Sequence, residues 1–291
     1  MVPIIRNLAI FARNSEDIME RTSAFTQEEK SAIFELNKVL RKSIEGKLLP
    51  TDYRFIKNQI EKAIAQGKMV RDNFGFHPVV VDMHTAALVG QEIGHHREII
   101  ISIMLNRCVQ LGVTTIDEIN EHYGEGVTKI LTNLTQINSL YTKSPTIETE
   151  NFRNLLLSFA NDMRIILIMI ASRLVLLRRL RTSTDTEARK QVAGEASKLY
   201  IPLAHKLGFY KLKSEMEDLA LRYTESEIYA ELSRKLEETA ASREDYIAGF
   251  IKPIDSKLRA LPHLKYRISR SRRSAESDGW LPWSIPLWQN D

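Results

Sequence analysis

The 291 residues are 43% apolar and 27% charged, which places the chain in the ordinary globular range with room for one large or two modest domains. Cys108 is the single cysteine, so an internal disulfide is impossible and cysteine-based zinc or redox chemistry is disfavoured, as suits a reducing cytoplasm. A net charge of +4 permits contact with phosphates without demanding it, so nucleic acid is not an expected partner.

The N-terminal stretch MVPIIRNLAIFARNSEDIME has short apolar runs broken by Arg6 and Arg13, and it lacks the pattern of a signal peptide. Thr26 and Glu29 form a capping-box pattern ahead of Ile33, Leu36, Val39, Leu40 and Ile44, which recur at helical spacing up to Gly46. A second helix is predicted from Thr51, with Phe55, Ile56, Ile60 and Ile64 on one face and a stop at Gly67. Further helices are predicted over 79–93 before Gly94, over 96–111 before Gly112, and after Thr115, which stands three residues before Glu118.

Beyond the turn-like Lys143-Ser144-Pro145, a helix over 150–160 leads into 162–181, whose Ile and Leu residues occupy nearly every face. The apolar run 165–171 is far short of the roughly 20 residues a membrane span needs, so this helix is expected to be central and buried, with no membrane partner. Residues 186–206 are amphipathic, with Pro202 expected to kink that helix or start another. Residues 226–260 read as one long, charged, amphipathic stretch. Leu264, Tyr266 and Ile268 then alternate with polar residues as a single short strand would. The tail beyond them holds Trp280, Trp283 and Trp288 among Gly279, Pro282 and Pro286, without periodicity.

Two stretches carry a resemblance: TIETENFRNLLLSFANDMRIILIMIASRL (146–174) and YIPLAHKLGFYKLKSEMEDLALRY (200–223). Both are similar to signature blocks of the RelA/SpoT family of stringent-response proteins, and the resemblance extends over about residues 30–268. It implies an all-α, HD-domain-like multi-helix bundle over 26–223 after an extension at 1–25. A helical linker over 224–263 would follow, and then, over 264–291, a truncated synthetase start whose tail is a frameshifted remnant, an unrelated extension or added sequence. In that family the HD domain is a manganese-dependent 3′-pyrophosphohydrolase of guanosine tetra- and pentaphosphate. The domain after it is a GTP pyrophosphokinase, which this chain ends too soon to contain.

The resemblance also implies that the metal site is degenerate here. The family's His-Asp dipeptide falls on Asn106-Arg107, the acidic pair that handles the attacking water falls on Gln110 and Leu111, and a further aspartate ligand falls on Ser172. The neighbouring nucleotide-contacting His-Asn becomes Val175-Leu176. The first histidine matches either His77, in a His-Pro dipeptide, or His84, by its spacing to position 106. A guanidinium at position 107 turned toward a dication about 4 Å away would be repelled by about 8 kcal/mol at an effective dielectric near 20. Rescue of Mn²⁺ binding would require Asp82, Glu92 or Asp162 to converge on the site.

The expectation is therefore a non-catalytic HD domain with no resident cofactor, serving a regulatory or scaffolding role beside a synthetase domain. Two rivals are an active hydrolase using substitute ligands and a metal-free module for GTP, GDP or guanosine tetraphosphate. Arg173 and Arg178 keep family positions as possible nucleotide contacts, with packed ion pairs as the alternative. His95-His96 reads as a solvated helix end, His205 as a packing residue, Asp162 as a first-turn carboxylate, and the cations of 265–273 as a charged remnant.

Overall fold

The computed structural model describes residues 25–43, 48–72, 74–93, 97–143 and 162–261. Within them the regular elements are all helical: α1 (Gln27–Ser43), α2 (Pro50–Ala65), α3 (Pro78–Ile93), α4 (Arg97–Gln110), α5 (Ile116–Tyr123), α6 (Glu125–Lys143), α7 (Met163–Arg179), α8 (Thr186–Glu195), α9 (Ile201–Lys206), α10 (Tyr210–Thr224), α11 (Ser226–Glu238) and α12 (Ala240–Arg259). A 3₁₀ turn, Leu180–Thr182, follows α7. None of these helices is long and apolar enough to cross a membrane. The expected helix over 150–160, Gly46, Gly94, His95-His96, the strand at 264–268 and the tryptophan tail lie outside the described residues.

Helices α3, α4 and α7 form the centre. Val79, Val80, Met83, Ala86 and Ala87 of α3 pack with Ile99, Ile101 and Leu105 of α4 and with Ile165, Ile166, Ile170 and Leu174 of α7. α1 covers α3, α2 and α6 cover α4, and α10 closes over α7 and α8. The near-complete apolar coating of α7 thus places it in the interior, with Leu167, Leu174 and Leu177 all at 1% exposure or less.

Capping chemistry sets several boundaries. The Thr26 hydroxyl accepts from the Glu29 amide at 3.2 Å and the Glu29 carboxylate accepts from the Thr26 amide at 2.9 Å; Thr115 and Glu118 repeat the box at the start of α5. Gly112, at φ +62°, ends α4 as its sequence position suggests, while Gly124, at φ +75°, splits α5 from α6. Pro202 stands in the first turn of α9 and so starts another helix, one of the two outcomes expected of it. It follows a π-helical turn, Ala196–Tyr200, in which the Ile201 amide reaches the Ala196 carbonyl, so the amide that proline lacks is absorbed in a local rewinding between α8 and α9.

Candidate functional site

His77 immediately precedes α3 and is 1% exposed. Its Nδ1 accepts from the Val79 amide at 3.3 Å and its ring lies 4.0 Å from the Phe25 ring. A neutral imidazole with its Nδ1 lone pair so used carries its proton on Nε2, which is buried and makes no hydrogen bond. Burial is the largest cause pushing the His77 pKa down to about 4; Glu29 opposes it, and the cations Arg71, Arg107 and Arg179 add to it. His84, two helical turns further along, is pushed down to about 3 by burial and then by Arg179 and Arg178. Both imidazoles are neutral at pH 7.

Asn106 and Arg107 occupy the last turn of α4. The Asn106 Oδ1 is buried and accepts no hydrogen bond. The Arg107 guanidinium grips Asp82 of α3 with a two-pronged contact, Nε to Oδ2 at 3.2 Å and Nη2 to Oδ1 at 3.3 Å. Burial raises the Asp82 pKa and Arg107 draws it back, whereas the Arg107 pKa rises chiefly because of Asp82. The forked geometry favours the ionised pair. Gln110 is exposed and Leu111 half-buried at the end of the same helix.

On α7, Ser172 is exposed, while Val175 is buried and Leu176 half-buried. Arg173 donates to Glu195 at 2.8 Å and to the Tyr200 hydroxyl at 3.2 Å, and its guanidinium lies over the Tyr200 ring. Arg178 makes a forked pair with Glu215. Asp162 caps α7 through the Arg164 amide and is clasped by the Arg164 guanidinium at 2.7 and 2.6 Å. The Glu92 side chain lies outside the described residues. Among the described residues, no three His, Cys, Asp or Glu side chains gather into a group that could hold a metal ion.

Sequence reading missed Arg179 and Arg71. Arg179 is 7% exposed, sits 4.3 Å above the Phe76 ring, and is lowered to about 10 by burial against the pull of Glu29 and Asp72. Arg71 forks onto Glu29 at 2.6 and 2.8 Å and donates to the Gly75 carbonyl. With Arg107 they set three cations around His77. No local pattern flags such a cluster, because its members come from three distant parts of the chain.

Residues 67–210, from the end of α2 through the start of α10, match a family model described as an HD domain. The chain is 33% identical over 201 residues to the guanosine-3′,5′-bis(diphosphate) 3′-pyrophosphohydrolase of Aquifex aeolicus, covering 69% of this chain and 27% of the relative. It is 26% identical to a GTP pyrophosphokinase of Brucella melitensis, covering 78% of this chain and 28% of that protein. The chain belongs to the RelA/SpoT family. A GTP pyrophosphokinase of Photobacterium angustum is 30% identical, over 55% of this chain and 22% of its own length. The chain thus spans about a quarter of the length of these RelA/SpoT relatives.

Proposed function

We propose that this HD domain is a non-hydrolytic form of the RelA/SpoT hydrolase scaffold, kept for a regulatory or scaffolding part in guanosine tetraphosphate metabolism. The observation that carries the reading is the Arg107–Asp82 fork: the acid nearest to a substitute ligand is already held by a cation at a position where the family resemblance implies an aspartate. The remaining donors do not fit a dication. They are an amide at 106, a hydroxyl at 172, and either the buried His84 or a His77 whose Nδ1 is used by Val79 and whose Nε2 carries the proton. Hard divalent cations need carboxylates and free imidazole lone pairs, and Mn²⁺ bound here would first have to break the ion pair.

The test is release of pyrophosphate from guanosine tetraphosphate as Mn²⁺ is titrated up to millimolar concentrations. The expected outcome is none above the metal-free background. Robust turnover would overturn the reading and support a hydrolase with substitute ligands.

The three cations around His77 favour a second reading, a module that grips guanosine tetraphosphate or GTP without cleaving it. A rise in melting temperature with either nucleotide in the absence of metal is expected if that is so, and an unchanged melt at millimolar nucleotide counts against it.

A further inference from the structure

A further concavity lies away from that cluster. A cavity of about 510 Å³ opens where the 3₁₀ turn after α7, α8, α10 and the length of α11 meet, and its lining shares no residue with the cluster around His77. Arg181, Arg189, Arg222 and Arg234 line it with Tyr223 and Tyr229, against Glu237 as the one carboxylate in the lining. Arg234 is paired with Glu238, yet guanidinium groups still outnumber carboxylates around the cavity, and each guanidinium fork matches a phosphate oxygen pair.

The aromatic groups are fixed. The Tyr223 hydroxyl donates to the Leu177 carbonyl at 2.7 Å, and the Tyr229 hydroxyl donates to Asp218 at 3.2 Å. With both phenols tied, it is the rings that meet the cations: Arg189 lies 5.8 Å over Tyr223 and Arg222 lies 5.6 Å over Tyr229. The Nε of Arg189 is buried without a hydrogen-bond partner, a donor left over inside the wall. Ser226, the first residue of α11, is exposed and lines the same space.

We infer that this cavity is a binding site for a nucleoside di- or polyphosphate, with the guanidinium groups on the phosphates and Tyr229 as a flat wall for the base. The volume falls within the range of small-molecule sites, roughly 300–1,000 Å³. The site requires neither metal nor the HD ligands, and it joins the HD helices to α11, the first helix of the segment beyond residue 224.

Calorimetric titration of the full chain with adenosine diphosphate, and separately with inorganic pyrophosphate, tests this. Adenosine diphosphate is expected to bind, more tightly than pyrophosphate and less tightly as salt rises. The double variant Arg189→Gln/Arg222→Gln is expected to lose at least tenfold in affinity while Lys38→Gln, at an exposed position of α1, keeps it. Ser226→Glu gives a second arm that leaves folding intact, because an acid in the first turn of α11 favours the helix; it too is expected to weaken binding at least tenfold. No heat at millimolar adenosine diphosphate, or unchanged affinity in both the double variant and Ser226→Glu, would overturn the site. Equal affinity for pyrophosphate and the nucleotide would overturn the role given to the ring.

Discussion

Single residues decide what this HD scaffold can do. Arg107 is 36% exposed and Asp82 17%, so the pair is partly screened, and removing the cation leaves a half-buried carboxylate alone. Arg107→Leu is expected to cost about 2 kcal/mol, below the full penalty for a buried pair, with Asp82→Asn in the same chain recovering most of it. Urea midpoints of the single and double variants check this; equal loss in both would show that the fork contributes nothing. The histidines predict a pH dependence. Both folded pKa values lie below the ordinary 6.5, at about 4 and about 3, so the unfolded chain binds more protons between those values and 6.5. Their stability contribution is whole above pH 6.5 and declines as pH falls through this window, by about 1.4 kcal/mol per pH unit for each imidazole. The urea midpoint should therefore fall from pH 7 to pH 5, and His77→Gln should flatten that fall; a midpoint that does not move would contradict the buried, neutral assignment.

At the scale of elements, local chemistry written in the sequence reaches a long way. The capping boxes at Thr26 and Thr115, the apolar coating of α7 and the stop at Gly112 were all legible, because each depends on neighbours within a turn or two. The break between α5 and α6 at Gly124 was not, since residues on both sides carry the same helical spacing; nor was the division of 226–260 at Thr239 into α11 and α12. The π turn before Pro202 escaped for a related reason: a rewinding that absorbs a missing amide leaves no mark on periodicity. Packed ion pairs are an anticipated alternative for Arg173 and Arg178, but their partners, Glu195 and Glu215, and the Asp82 partner of Arg107 depend on which helices meet, which one sequence does not disclose. Gly112 offers the sharpest check on element boundaries. Its backbone lies at φ +62°, so Gly112→Ala is expected to destabilise by about 1 kcal/mol, read as a lower melting temperature. Thr115→Ala should cost about the same through the lost cap, and an unchanged melt for either would show that the cap is dispensable.

Over the whole molecule, the packing divides the chain unevenly. The core runs from α1 to α10, whereas α11 buries no residue and Ile228, Leu232, Phe250 and Ile254 are exposed on the two last helices. A chain ending at residue 225 should therefore unfold cooperatively with a melting temperature within a few degrees of the parent; loss of the cooperative transition would mean that α11 and α12 hold the bundle together. The same core would hold an HD scaffold together under the non-hydrolytic reading proposed above. Substitutions at 106, 107 and 172 fall at half-buried or exposed points around α3, α4 and α7, where they change donors without changing the packed interior. On the reading proposed above, these helices offer a dication no home. Paramagnetic resonance of the purified chain during Mn²⁺ addition counts bound metal directly: the free-ion signal should rise in proportion to added metal from the first micromolar increments. A signal suppressed until one equivalent has been added, and lost again in Asp82→Asn, would contradict the account.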